Sequence, residues 1–169
     1  PYYTGSHKKW TEGFKKYSSH HVKILSMKGR FWKWRMHGGA VTLAKMFNNM
    51  DWKPDLILST DMLDLTTFLA LTRAESNGIP IAIYFHENQI SYPWSPEDRD
   101  ILNKRDNHYG FINYASALSA DKVFFNSNFH MKTFLNDLKP FLKNFPDNNE
   151  IDTIEEIKNK SDVLHIGLD

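Results

Sequence analysis

The sequence predicts an α/β fold, a Rossmann-like doubly wound parallel sheet with helices on both faces. Short apolar runs alternate with segments of helical periodicity, which is the pattern of a βα succession. The clearest run, 79–85, is apolar throughout and does not alternate, as expected of a strand that helices cover on both faces. Polar residues 86–89 follow its carboxyl end, where open α/β sheets bind their ligands.

The composition bounds the size and the class of the protein. With 169 residues, of which 41% are apolar, the chain is long enough for one compact domain, and we assign residues 1–169 to a single domain. The 21 basic residues nearly balance the 20 acidic ones, so a net charge of +1 gives no general electrostatic case for binding nucleic acid or membranes. The absence of Cys excludes disulfides and Cys-ligated zinc. No apolar run approaches the ~20 residues of a membrane span, and we expect a cytoplasmic protein.

The first elements are predicted to be a helix, a strand and a second helix. Trp10, Phe14 and Tyr17 repeat at helical spacing, and the apolar run 22–27 predicts the strand. Each helix should bury the face that carries its periodic apolar residues. In the second helix this face consists of Met36, Ala40, Leu43, Ala44 and Phe47.

The later elements continue the alternation. Further strands are predicted at 56–59, 81–85, 122–126 and 163–166. The helix before the second of these ends at Asn77-Gly78, a common stop signal. The apolar face of this helix consists of Leu65, Phe68, Leu69 and Thr72. In the helix after the predicted strand 122–126, the apolar face consists of Met131, Phe134, Leu135 and Leu138.

Two later segments are predicted on weaker patterns. The polar stretch 140–161 predicts a mobile surface excursion with one short helix at 151–158. Another helix begins at 106–114, where Tyr109 and Asn113 lie one turn apart and could face the same crevice as residues 86–89. Alternatively, the core face of this helix consists of Phe111, Ala115 and Leu118.

The segment Gly5-Ser6-His7 opens the first helix and is a candidate anion site. Free backbone N–H groups and the helix dipole favour a phosphate at such a position. The segment is neither a P-loop nor a dinucleotide-binding glycine motif, and Ser6 could simply cap the helix.

Residues 28–35 form a basic and aromatic segment. It carries four positive charges, no negative charge and three aromatic residues, a combination that suits phosphates and stacked bases. The candidates for such contacts are Lys33, Trp34 and Arg35. Alternatively, one Trp packs into the core while the basic side chains cover it and keep their charged ends in water.

His86 and its neighbours are the strongest candidates for chemistry. Glu87 points away from His86 on an extended backbone, so it would not orient the imidazole. Asn126 and Ser127 follow another predicted strand and would lie at the same edge of the sheet, although Ser127 can also cap the next helix. A metal site of His7, His86, Asp106 and His108 is conceivable, and a polar turn without a site is the simplest alternative.

Several stretches together resemble one family, the N-terminal domains of tRNA-queuosine alpha-mannosyltransferase and its glycosyltransferase-like relatives. The stretches run in matching order over nearly the whole chain, and the His-Glu-Asn-Gln segment is the most specific of them. They are Tyr3 to Lys8, Trp32 to Arg35, Phe85 to Gln89 with Tyr92-Pro93, and Ala120 to Ser127.

The resemblance implies the N-terminal half of a GT-B glycosyltransferase, similar to the retaining enzymes of family four. Such a domain mostly binds the acceptor, and the reaction would transfer mannose from GDP-mannose to a hydroxyl of queuosine in tRNA. No metal and no cofactor besides the nucleotide-sugar is implied, because basic side chains and helix N-termini can stabilise the leaving diphosphate. The opening strand and the C-terminal domain, which would follow Gly167-Leu168-Asp169, are expected outside this chain, and the fragment alone should be inactive.

The resemblance also implies roles for the candidate residues. The Gly5-Ser6-His7 loop would lie in the cleft near the donor phosphates or the acceptor, and Asn126 and Ser127 would line the cleft floor. His86 would face the donor sugar as the catalytic residue. The expected substrate-binding residues are Gly5, Ser6, His7, Lys33, Trp34, Arg35, Glu87, Asn88, Gln89, Tyr109, Asn126 and Ser127.

Two hypotheses from other functional classes remain open beside the glycosyltransferase. One is a noncatalytic RNA-binding module that uses residues 28–35. The other is a small-molecule hydrolase on the same sheet architecture, although the chain lacks a His-Glu-x-x-His helix and a Gly-x-Ser-x-Gly elbow.

Overall fold

The structure is a computed structural model that describes residues 1–93, 95–98 and 107–167. Helices and strands alternate along most of this range, as the sequence predicts. The elements are α1 (Gly5–Tyr17), α2 (Trp32–Asn48), β1 (Ile57–Thr60), α3 (Leu65–Ser76), β2 (Ile81–Phe85), α4 (Asn107–Ser119), β3 (Lys122–Phe125), α5 (Asn128–Leu142), α6 (Thr153–Asn159) and β4 (Ser161–Val163).

The strands form one parallel sheet in the order β1-β2-β3-β4. Ile83 of β2 pairs with Ser59 on one side and with Val123 on the other, so β2 is hydrogen-bonded along both edges. Residues 82–85 are buried, as the unbroken apolar run predicts. The predicted α/β class with a parallel, Rossmann-like sheet is confirmed, and the sheet places the ends of β1, β2 and β3 side by side.

The core lies between the sheet and the helices α2, α3, α4 and α5. The predicted apolar face of α2 is fully buried, and Phe134 and Leu138 of α5 are completely inaccessible to solvent. The prediction of a buried face is wrong for α1, where no residue is buried and Tyr17 is 66% exposed. Trp10 of this helix packs on the sheet by stacking on Tyr84 with ring centroids 4.5 Å apart.

The predicted strand at 22–27 is not a strand in the structure. Leu25 and Met27 pack against the core, but the segment makes no β-ladder with any described strand. Its pairing is limited to the bridge between Tyr3 and Lys28, with a hydrogen bond from the Tyr3 N–H to the Met27 carbonyl. Packing of Leu25 and Met27, which are partly buried, therefore holds the segment against the core without the repeated backbone pairing that defines a strand.

Two further boundaries and one helix face differ from the predictions. Helix α5 continues through Pro140 to Leu142, because Phe141 and Leu142 are buried. The last strand ends at Val163 rather than spanning 163–166, and the Tyr84 hydroxyl then donates a hydrogen bond to the carbonyl of Leu164. In α4 the alternative core face is wrong, since Phe111 is 42% exposed while Tyr109 and Asn113 are buried.

The described helices include none that is long and apolar enough to cross a membrane. The predicted role of Asp106 and the chain end at Leu168 and Asp169 lie outside the described residues.

Candidate functional site

His86 follows β2 directly at the carboxyl edge of the sheet, and its side chain is only 4% exposed. Its backbone N–H donates to Oδ1 of Asp61 at 3.0 Å, and its Nδ1 lies 3.3 Å from the same oxygen. An ionised carboxylate only accepts hydrogen bonds, so this contact assigns the imidazole proton to Nδ1. In the neutral ring, the other nitrogen, Nε2, is then the acceptor.

Aromatic rings surround the imidazole of His86. His7 and Trp10 of α1 lie with their ring centroids 4.3 and 4.9 Å from it, and Tyr84 lies at 4.8 Å. Nε2 is buried and makes no hydrogen bond with any described residue. A buried nitrogen without a partner is energetically costly, which makes Nε2 a candidate contact for a bound ligand.

Asp61 itself belongs to a buried polar network. Its side chain is 2% exposed and its main-chain carbonyl accepts a hydrogen bond from Nδ2 of Asn113 at 2.8 Å. The Asn113 side-chain oxygen in turn accepts from the backbone N–H of Gln89 at 2.7 Å. Thus β1, β2 and α4 all hold the turn that carries His86.

The Gly5-Ser6-His7 segment forms the first turn of α1, as predicted. The alternative of capping by Ser6 is wrong, because Thr4 occupies the N-cap and makes no side-chain capping bond. The first turn carries no acidic residue, and Gly5 takes a positive φ of 51°, which glycine adopts without strain. The backbone N–H groups of this turn are therefore suited to an anion beside His7.

Asn126 and Ser127 follow β3 at the same edge. The Asn126 amide donates to the main-chain carbonyl of His86 at 2.8 Å, and Ser127 caps α5 by accepting from the N–H of His130 at 3.2 Å. His130 Nδ1 lies 3.1 Å from Oδ1 of Asn126, and its Nε2 lies 2.8 Å from the amide nitrogen of Asn88. Because an amide nitrogen donates, these contacts place the His130 proton on Nδ1.

The remaining residues of the polar stretch shape the turn. Asn88 is 3% exposed and its side-chain oxygen accepts from the backbone N–H groups of Ile90 and Ser91, and Gln89 is 7% exposed. Glu87 makes no hydrogen bond to His86 that the structure describes, as its alternation on the strand predicts. A role of these three side chains in substrate binding stays a prediction.

Burial controls the charge of the ionisable groups near His86. It lowers the pKa of His7 and of His130, against the charge of Asp61, which raises both. Burial and then Asp61 raise the pKa of Glu87. Burial also raises the pKa of Tyr84 to about 12, so its hydroxyl stays a donor. Burial therefore favours the neutral forms of His7 and His130.

The other predicted substrate-binding residues belong to α2 and α4. Tyr109 packs against Trp32, with ring centroids 5.2 Å apart, in a small cluster with Met36 and Met62. Lys33 forms a salt bridge with Asp98. Trp34 is 62% exposed, and the Arg35 Nε donates to the main-chain carbonyl of Lys28 at 3.2 Å.

The side chains that could share one metal ion, among the described residues, are those of His7, Asp61 and His86, with ligand atoms within 4.8 Å of one another. His108 is not in this group; it stacks on His37, and its Nε2 lies 3.2 Å from the Nδ1 of His37. Within the group, the Asp61 Oδ1 already accepts from the His86 backbone and faces Nδ1. These contacts serve to orient His86.

The sequence analysis did not identify Asp61 and His130 as parts of the site. For Asp61 a signal existed, because it follows β1 at the edge where β2 ends in His86. His130 lies four residues after Asn126, a helical spacing that places both on one side of the α5 N-terminus. Asn113 was predicted to face the crevice, and it reaches the site through Asp61 and Gln89.

Comparison with known proteins identifies relatives over the whole chain. The family described as tRNA-queuosine alpha-mannosyltransferase N-terminal matches residues 1–168. The tRNA-queuosine alpha-mannosyltransferase of Drosophila melanogaster is 32% identical over 169 residues, a match that covers 99% of this chain and 43% of the relative. The chain therefore spans less than half the length of this relative. No solved structure matches the chain.

Proposed function

Because the chain belongs to the family of tRNA-queuosine alpha-mannosyltransferase N-terminal domains, we propose that it is the acceptor-side half of a retaining GT-B glycosyltransferase. The proposed reaction transfers mannose from GDP-mannose to a hydroxyl of queuosine in tRNA. A second domain, beyond the part of the relative that this chain matches, would hold most of the donor nucleotide. The isolated chain would then be inactive.

The observation that carries this proposal is the buried and unpartnered Nε2 of His86. With the proton on Nδ1 facing Asp61, Nε2 can accept a hydrogen bond from a sugar hydroxyl. A position at the carboxyl end of β2 is where an open parallel sheet exposes its ligand crevice. His86 would therefore contact the donor sugar, and Asp61 would act as a positioning residue through it.

The first turn of α1 suits the charged part of the donor. Its N–H groups are not capped by Thr4, and His7 lies on the same turn with its ring 4.3 Å from that of His86. Negative charge grows on the diphosphate as the glycosidic bond breaks, and oriented N–H groups stabilise such charge. In the proposed reaction these N–H groups would stabilise the leaving diphosphate.

Asn126 and Ser127 support the proposed floor of the cleft. Asn126 holds the main-chain carbonyl of His86, and Ser127 fixes the start of α5 beside it. These contacts keep the imidazole in place when the sugar binds, which is how a rigid site retains its geometry.

The alternative function is a noncatalytic RNA-binding module built on residues 28–35. The observation that favours it is the exposure of Phe31 and Trp34, at 76% and 62%, beside basic residues. This function predicts tight, steeply salt-dependent tRNA binding that is lost when Lys33 and Arg35 are replaced. It also predicts that His86→Ala changes nothing in the full-length protein.

A panel of substrates tests the proposed function. The full-length protein is incubated with different nucleotide-sugars and with tRNA that carries or lacks queuosine, and the digested nucleosides are analysed by mass spectrometry. We expect one added hexose on queuosine, with GDP-mannose as the donor. Transfer to queuosine-free tRNA, transfer to neither tRNA, or sugar transfer by the isolated chain would contradict the proposal.

A further inference from the structure

We propose that Phe31 and Trp34, together with Lys28, Arg30 and Arg35, form a stacking surface for unpaired bases and phosphates of the acceptor RNA. The proposal rests on the proposed function, in which the acceptor is a nucleoside within tRNA. It adds the place where the RNA around that nucleoside would lie. The surface comprises the loop before α2 and the first turn of that helix.

Trp34 packs against its own helix at Gly38 and stays largely exposed. A Cβ at Gly38, one turn further along α2, would lie 2.6 and 2.7 Å from Cζ2 and Cε2 of Trp34 and 3.1 Å from Cη2. These three atoms form one edge of the six-membered ring, so the indole packs closely against the helix at Gly38. With 62% of the residue exposed, most of Trp34 remains open to solvent.

Phe31 is held outward at a backbone position that does not favour it. Its φ of 53° lies in the left-handed region, where glycine is free of strain and an aromatic residue is not. Phe31 is the N-cap of α2, and its main-chain carbonyl accepts a hydrogen bond from the N–H of Arg35 at 3.0 Å. The side chain is 76% exposed, so burial does not explain an aromatic residue here.

The charges around these rings have one sign. Residues 28–35 contain no acidic residue, whereas the whole chain has a net charge of only +1. Lys28 and Arg30 are exposed, and Arg35 is held against the loop by its bond to the Lys28 carbonyl. Lys33 forms a salt bridge with Asp98 and is therefore not assigned to the surface.

The surface is continuous with the candidate site around His86. Lys28 pairs with Tyr3, and a Cβ at Gly29 would lie 2.4 Å from the side-chain methyl of Thr4. Thr4 is the N-cap of α1, which leads through Gly5 to His7. An RNA strand on the stacking surface would thus pass beside the loop that opens the site.

The chemistry of the surface favours unpaired RNA over a duplex. An exposed aromatic face stacks on a base only when that base is not already stacked in a helix, and the cations neutralise the phosphates on either side. A basic surface without exposed rings would bind both forms through their phosphates. A preference for single-stranded RNA over duplex RNA therefore distinguishes binding through the aromatic rings from binding through the positive charges alone.

The test measures binding of fluorescein-labelled RNA to the full-length protein by fluorescence anisotropy. A single strand of about 12 nucleotides, within the usual span of a stacking site, is compared with a blunt duplex of the same sequence. We expect the single strand to bind more tightly and Trp34→Ala to weaken it roughly 5- to 150-fold, the usual effect of losing one base–aromatic stack. Arg30→Gln should weaken it and reduce the salt slope by about 0.7.

Two further variants separate binding from folding. Phe31→Gly removes the ring but relieves the positive φ, so we expect weaker RNA binding with an unchanged or higher melting temperature. Gly38→Ala forces Trp34 off the helix and should weaken binding with the indole still present. The matched control is Tyr17→Ala: Tyr17 is 66% exposed, but Lys16 lies 4.7 Å over its ring, so this variant should bind RNA normally.

Equal effects of Trp34→Ala and Tyr17→Ala, tighter binding of the duplex, or no RNA binding by the wild-type protein would overturn the proposal. These outcomes are distinct from failure of the proposed function. Sugar transfer to queuosine with an unaffected Trp34→Ala variant would refute the stacking surface alone. Stacking-dependent RNA binding without any sugar transfer would refute the glycosyltransferase alone.

Discussion

At the residue scale, one carboxylate determines how His86 is presented. Oδ1 of Asp61 receives the backbone N–H of His86 and faces Nδ1, so both the position and the tautomer of the imidazole depend on it. Both side chains are almost fully buried, at 4% and 2% exposed, and water cannot easily replace the lost partner.

The first prediction replaces this carboxylate with an amide of the same shape. Asp61→Asn no longer favours the proton on Nδ1, and we expect kcat for sugar transfer by the full-length protein to fall roughly 10- to 100-fold. KM for tRNA should change little, because the RNA does not contact Asp61 in our account. A matched control is Asp55→Asn, an exposed carboxylate before β1 that should leave kcat unchanged. An unchanged kcat in Asp61→Asn would contradict the positioning role.

Glu87 gives a second prediction, on stability against pH. Its pKa is raised in the folded protein by burial and by Asp61, so the folded state binds the proton more tightly than the unfolded state. That contribution is fully present below the ordinary pKa of about 4.5 and is lost as pH rises through the raised value. Glu87→Gln should therefore increase the free energy of unfolding at pH 7 and give no increase near pH 4.

Urea unfolding at both pH values measures this difference. If Glu87→Gln changes the free energy of unfolding equally at pH 4 and pH 7, the carboxyl titrates normally.

The free energy of unfolding is expected to depend on pH in the opposite direction through His130. Its lowered pKa gives stability above about pH 6.5 that is lost on acidification. His130→Gln should thus reduce the loss of stability between pH 7 and pH 5.

At the element scale, the start of α5 links the fold to the site. Ser127 accepts the N–H of His130 and donates to Oδ1 of Asn126 at 3.2 Å, so one hydroxyl joins the helix cap to the residue that holds His86. Asn126 then reaches the His86 carbonyl, which couples α5 to the end of β2.

Removing this cap gives the third prediction. Ser127→Ala should lower the free energy of unfolding by about 1 kcal/mol, the usual cost of losing an N-cap. The matched control is Thr4→Val: Thr4 is also an N-cap but makes no side-chain capping bond, and Val keeps its shape. This change should alter stability by no more than about 0.5 kcal/mol. Equal losses in both variants, measured by denaturant unfolding, would contradict the capping account.

Elements differ in how well their sequences predict them. Helix α2 and strand β2 are predicted well because each repeats one signal, a periodic face in α2 and an unbroken apolar run in β2. The segment 22–27 carries the same apolar signal but finds no ladder partner, and a local pattern does not contain that information. Helix α1 keeps its period although it packs mainly through Trp10.

At the scale of the whole molecule, the sheet order brings separate parts of the chain to one edge. Asp61, His86 and Asn126 follow β1, β2 and β3, which lie side by side, and α1 adds His7 from the other side. The crevice rule and the resemblance predicted His86 and Asn126 from the sequence. The Asp61 contact was not predicted, because it depends on β1 and β2 being neighbours in register.

The most direct measurement is the effect of His86→Ala on mannose transfer by the full-length protein. The variant is assayed with GDP-mannose and queuosine-containing tRNA, and its fold and tRNA affinity are checked by circular dichroism and anisotropy. We expect mannosylated queuosine with the wild-type protein and a loss of roughly 100-fold or more with the variant, with tRNA affinity unchanged. Full transfer by a folded His86→Ala variant would contradict it.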